Sequence, residues 1–287
     1  MKSEVISLSG VNKDAETGQT VINTLCSQRA VSDLPGNIVP ASTFFFTKGN
    51  LSDLEKIFNL TSRHGYIKAT NPEEIGKGDE AVSNFLKTYA DVSITTCLFR
   101  NKDTLLNVPH AIVNIPLENR PGIKQALNAL HYSIPRQKPL LARGTEFLVG
   151  SVIYVCYTLP QNSLFTQLTG ITESSSFACL YKNHLLLAPE VYSIQAYIES
   201  IESNDVLDDT VIYKNIVSNL PQSYNFMMMA DMEQIFEQSE NYVRFIPNLF
   251  FRYHNFFRYF ILATQFICID DVVYPNLILT YKGDTVI

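Results

Sequence analysis

The chain has 287 residues, 46% of them hydrophobic and 17% charged, with a net charge of −6. This balance specifies a folded protein with a sizeable core and excludes a disordered chain. Its 22 Lys and Arg are scattered singly, so no basic stripe exists to neutralise phosphates and nucleic acid is excluded as a partner.

No apolar run reaches the roughly 20 residues of a membrane-spanning helix. Residues 1–21, MKSEVISLSGVNKDAETGQTV, carry Glu4, Lys13, Asp14 and Glu16 where a signal peptide has its apolar core, so no export signal is expected in this chain. Residues 1–35 are polar and poorly periodic, which predicts a loosely ordered lead-in to a single domain over 36–287. Phe44 to Thr47 read as a strand and Lys48 to Asn50 as a turn. Asn50 then caps a helix with Leu51, Leu54, Ile57 and Phe58 on one face.

TNPEEIGKGDE is expected to be a polar loop, followed by a helix bearing Val82, Phe85, Leu86 and Tyr89. VSITTCLFRN and HAIVNIPLE are strand-like. NRPGIKQALNALHY predicts a helix capped by Asn119, with Ile123, Leu127 and Leu130 as its buried stripe. TEFLVGSVIYVCYTLP is strand material broken at Gly150. Phe177 to Tyr181 and Leu185 to Ala188 form a hairpin turning on Lys182-Asn183.

Val191, Ile194, Ile198 and Ile201 mark the clearest helix. Asp209 is the expected cap of the next, which carries Ile212, Ile216 and Val217. YNFMMMADMEQIF then repeats the strand–turn–helix phrase of FFFTKGNLSDLEKIF, which suggests duplicated halves at 36–160 and 161–287. Asp270-Asp271 sits between two apolar runs and reads as a hairpin tip, with Pro275 placing the last strand at an edge or bulge.

The tested catalytic patterns are missing. His64, His110, His131, His184 and His254 form no HExxH or short His/Cys pairing, and GxSxG, GxGxxG and the Walker spacing are absent. DVLDD lacks the glycine and closing glutamate of a calcium loop. Cys26, Cys97, Cys156, Cys179 and Cys268 read as small buried hydrophobes rather than disulfides or metal ligands. No metal or cofactor is expected. The most unusual composition is YVRFIPNLFFRYHNFFRYF, where Phe250, Phe251, Tyr253, Phe256 and Phe257 are the candidate ligand- or partner-binding residues. Core, a contact for a neighbouring domain and a membrane-surface patch are the open readings of that segment.

Three stretches, FACLYKNHLLLAPEVYSIQAYIESIESNDVLDDTVIYKNI, YNFMMMADMEQIF and FILATQFICIDDVVYPNLILTYKG, resemble the amino-terminal module of uncharacterised Bacteroidetes cell-envelope proteins, often lipoproteins, that share a domain of unknown function. The likeness covers roughly residues 140–283. It implies a periplasmic or surface-anchored location, a carboxy-terminal repeat domain or an envelope protein as partner, and a non-enzymatic role.

The expected fold class is α+β: an antiparallel β-sheet with helices packed on one face. The expected function is a non-enzymatic envelope binding or scaffold module acting through its apolar-aromatic surface, with peripheral membrane association open. The alternative function is a hydrolase with a site drawn from Asp231, Asp270, Asp271 and His184, and the alternative location is the cytoplasm.

Overall fold

A computed structural model describes residues 5–10, 28–50, 72–91, 93–100, 109–133, 144–164, 177–237, 246, 248–269 and 272–282. Within these, eleven strands form one antiparallel sheet in the order β1-β11-β10-β9-β2-β3-β4-β8-β7-β6-β5. The strands are β1 Val5–Ser9, β2 Thr43–Asn50, β3 Ser93–Arg100, β4 Pro109–Pro116, β5 Thr145–Val149 and β6 Val152–Thr158. They continue with β7 Phe177–Tyr181, β8 His184–Ala188, β9 Phe226–Asp231, β10 Phe260–Ile269 and β11 Val272–Tyr281. The helices are α1 Pro72–Tyr89, α2 Ile123–Tyr132, α3 Val191–Glu202, α4 Val211–Val217, α5 Met232–Glu237, α6 Asn248–Arg252 and α7 His254–Phe257.

The class is mixed α+β, but the helices do not share one face. Along the inner strands, alternate residues enter different apolar clusters. Val113, Ile115, Met228 and Leu262 join α1, α2, α5 and α6 on the first face. Ile112, Met227, Met229 and Ala263 join α3, α4 and Val31 and Val39 on the second. Side chains alternate across a pleated strand, so the two clusters lie on opposite sides of the sheet. This overturns the single helical layer. Double cover also explains why β2, β3 and β4 are buried over nearly their whole length, and why Phe44 to Phe46 and Ala111 to Val113 are consecutive apolar residues.

Several local expectations change for identifiable reasons. Lys48 continues strand β2 instead of turning, because Met227 and Thr95 pair with it from either side. The predicted loop from Pro72 is the first turns of α1. Gly78 permits this: a Cβ there would come within 1.8 Å of the Gln161 carbonyl oxygen, so the helix meets that backbone closely. Helix α2 starts after Gly122 in a left-handed conformation, not at Asn119, and α4 is capped by Thr210, whose hydroxyl accepts from the Tyr213 amide, not by Asp209.

Residues 5–9, expected in the lead-in, pair with β11 at the sheet edge. Strand β11 therefore has partners on both sides, with Pro275 just beyond the last β1 pair, Ser9 opposite Asn276. The Lys182-Asn183 hairpin stands as expected. Ile269 pairs with Val272, as a hairpin between those strands requires, while Asp270 and Asp271 themselves lie outside the described residues. Asn50, expected to cap a helix, ends strand β2, and the helix expected over Leu51 to Phe58 lies outside the described residues.

Around the central β2–β9 pair the path nearly repeats. Each of these strands leads through helix to two further antiparallel strands that extend the sheet outward: β3 and β4 on one side, β10 and β11 on the other. Strands β5 to β8 extend only the first side.

Candidate functional site

The aromatic segment divides by helical geometry. Phe250 is buried, with its ring 4.6 Å from that of Phe257, and Phe251 lies 5.5 Å from Phe236. These three of the five predicted residues anchor α6 and α7 to the first face. Tyr253 and Phe256 point outward, and the sequence reading missed their companions Leu249 and Tyr259. The four are between 47% and 56% exposed. Leu249, Tyr253 and Phe256 recur at four and three residues, the spacing of one helical side. The sequence did contain this signal, hidden among rings that serve the core.

Charge borders the patch. Arg258 donates to Glu233 at 3.0 Å, and Lys282 Nζ reaches Glu233 at 3.0 Å and Asp231 at 2.8 Å. The Lys282 and Arg258 hydrogen bonds hold the Glu233 carboxyl below its usual range. Asp231 also accepts the Glu233 amide hydrogen at 3.1 Å, which starts α5. It is a structural cap and ion-pair partner.

The second face holds a buried polar rank that the sequence reading did not find. Gln265, Met227, Lys48, Thr95 and Asn114 stand opposite one another on five neighbouring strands. Lys48 is 1% exposed and pairs with Asp33, whose side chain is 67% exposed. His184 Nδ1 donates to Asn114 Oδ1 at 2.7 Å, and Asn114 Nδ2 donates to the Tyr197 hydroxyl at 2.7 Å. Tyr197 passes its own hydrogen to the Ile38 carbonyl. The Tyr224 hydroxyl donates to the Asp33 carbonyl at 2.7 Å, and Asn225 Nδ2 to that of Gln28. Burial, then the charges of Lys48 and Lys182, holds His184 below its ordinary value, so the ring is neutral.

These bonds fasten residues 28–39 across the sheet. A charged or polar group buried without a partner costs several kcal/mol at most sites, on the order of 1–3 for an uncharged one. The chain meets that requirement with carbonyls and carboxylates from a distant segment. Among the described residues, Gln265 Oε1 of this rank finds no partner.

A second pair on this face has the chemistry of a nucleophile and base: Ser193 Oγ lies 3.0 Å from His110 Nδ1. Both residues are buried, and the His110 ring is packed against Phe99 and Tyr192 at 5.3 Å each. Among the described residues His110 Nε2 is buried with no hydrogen-bond partner, so none of their carboxylates orients the ring as a triad requires. The arrangement is core polar packing.

The dispersed hydrolase set is not assembled by the described residues. His184 shares a cross-sheet rank with Asn225, six residues and four strands from Asp231. Strand rise and spacing put the two roughly 20 Å apart in each direction. Among the described residues no three His, Cys, Asp or Glu side chains gather to hold a metal, and no helix is long and apolar enough to cross a membrane. Comparisons with protein-family models, curated proteins and solved structures find no match to this chain.

Proposed function

We propose that this chain is a non-enzymatic binding or scaffold module of the cell envelope, and that it docks a partner surface through Leu249, Tyr253, Phe256 and Tyr259. The observation that carries the reading is the side of α6–α7 where these four large side chains stand about half exposed, while their neighbours Phe250 and Phe257 are sunk into the core. Rings held rigidly from beneath lose little side-chain entropy on docking, which favours binding. The bordering Arg258, Glu233 and Lys282 supply a polar rim.

The envelope location rests on the resemblance of the second half to Bacteroidetes envelope modules. In that setting the partner is a carboxy-terminal repeat domain or another envelope protein. The near-repeat about β2 and β9 supports reading the fold as a duplication, with β5 to β8 elaborating one half.

The test compares photo-crosslinking residues placed at Phe256 and at Val211, an exposed apolar position on α4 of the other face. Phe256 should yield one repeatable protein adduct in envelope fractions, lost in a Leu249→Ser/Tyr253→Ser background, while Val211 yields none. Equal labelling from both positions, or lipid adducts alone from Phe256, would overturn the reading.

A further inference from the structure

Two thiols stand face to face on the second side of the sheet. Cys156 of β6 is directly opposite Cys179 of β7, and both are buried in the same apolar cluster. We propose that Cys156 and Cys179 form a reversible cross-strand disulfide that staples the outer β5–β6 hairpin to the rest of the sheet.

Directly opposed residues of antiparallel strands have Cα atoms about 4.5 or about 5.5 Å apart, depending on the pair type. Disulfides span roughly 4.4–6.8 Å between Cα atoms, so the opposed pair lies within reach, and closure is easiest where the Cβ atoms come nearest, as in the non-hydrogen-bonded pair type. The Cys179 thiol donates to the Leu180 carbonyl at 3.7 Å, and the nearness of Cys179 together with burial raises the Cys156 pKa. No other described cysteine competes. Cys97 lies on β3, three strands from β7, or roughly 14 Å at ordinary strand spacing, and Cys268 is on β10 beyond it.

What the staple would hold is the weakest junction in the sheet. Strand β6 meets β7 through only three residue pairs, and beyond it β5 is the sheet edge, with Leu148, Val152 and Ile153 exposed on this hairpin. Opening of that edge is the route by which the buried thiols meet an oxidant. The oxidant class is a small-molecule disulfide. One cysteine thiolate attacks its S–S bond, releasing one small thiol and leaving a mixed disulfide. The second cysteine thiolate displaces the other small thiol as the cross-strand bond forms. Two protons and two electrons leave the protein, and the oxidant becomes two thiols. The inference does not depend on the aromatic docking surface. It does bear on compartment, since an oxidising setting keeps the staple closed and a reducing one keeps it open.

The experiment equilibrates the folded chain with oxidised glutathione or with dithiothreitol, and separately refolds it from denaturant in a glutathione redox buffer. Free thiols are then alkylated and the peptides mapped by mass. The peptides of Cys156 and Cys179 should be joined, two hydrogens lighter, with Cys26, Cys97 and Cys268 alkylated. The melting midpoint of the oxidised form should rise by roughly 5 °C, and dithiothreitol should reverse this. Cys179→Ala should fold, lose the linked peptide and lose the redox dependence of melting. Native refolded protein with both thiols free, glutathione adducts without the link, links to other cysteines, or a lower midpoint on oxidation would each overturn the proposal.

Discussion

The two faces of the sheet are built from alternate residues of the same strands and each has an apolar cluster, yet the second adds a rank of buried polar side chains tied to a distant segment. On the first face Val113, Ile115 and Leu98 meet apolar helix surfaces from α1, α2 and α5, and the packing is non-directional. On the second face, one residue along, Asn114 and Lys48 need particular partners, which come from His184, Tyr197, Ile38 and Asp33. Apolar contacts accept many neighbours, whereas a buried polar group accepts only a donor or acceptor in the right place. The second face therefore fixes where residues 28–39 lie, and the first has latitude to leave rings exposed at its margin.

The sharpest way to break this contrast is to change adjacent residues facing opposite ways. Asn114→Ala should cost about 3 kcal/mol, because the His184 and Tyr197 groups lose their partner together. Ile115→Val on the first face should cost about 1 kcal/mol. Denaturant unfolding of both variants measures the difference, and equal losses would show that the polar rank has no special standing.

A smaller effect separates charge from shape. Asp33→Ala leaves Lys48 buried without its carboxylate and should cost about 2 kcal/mol, the outward exposure of Asp33 moderating the loss. Lys48→Met, which removes the charge with little change of volume, should be near neutral in the same unfolding measurement. Comparable destabilisation by the two would refute the asymmetry.

Acid should also act through the second face. His184 is held below its ordinary value by burial, Lys48 and Lys182. His110 is lowered by burial against an opposing pull from Glu190. For both, the unfolded chain takes up protons first as pH falls, so this contribution is complete above about 6.5 and declines as pH drops toward the folded values. Unfolding free energies at neutral and mildly acidic pH should differ less in His184→Gln than in the parent. An unchanged difference would remove His184 from the account.

The least effect on folding is expected at the aromatic margin. Phe256→Ser should change stability by no more than ~1 kcal/mol, since the ring is half exposed and, among the described residues, its ring contacts are Phe257 and Phe260. Its retention on a hydrophobic-interaction column should nevertheless fall clearly. A large stability loss would reassign the ring to the core.

The core side of α6 and α7 and the exposed side were both present in the spacing of residues 249–259, but composition alone merged them. Ring after ring obscures which positions share a side until the sheet beneath supplies a direction. Lys48 shows the opposite difficulty. A lysine followed by Gly49 and Asn50 carries every local mark of a turn, and only the strands pairing with it from both sides keep it extended. The consecutive apolar residues Phe44 to Phe46 of β2 and Ala111 to Val113 of β4 did signal cover on both faces, a feature hidden when strands are sought by alternation.

By itself the sequence determined most of the elements: the 191–202 helix, the hairpin at Lys182-Asn183, the Phe226 strand with its short helix, and the paired strands that flank Asp270-Asp271. Periodicity and turn chemistry act within a few residues and are written locally. Tertiary structure alone decided which strands became neighbours, that helices cover both faces, and that Asn114, His184 and Tyr197 meet one another and a segment some eighty residues or more away. Those outcomes depend on hydrogen bonds and close packing between distant residues, whose free energy exists only once the chain has brought them together.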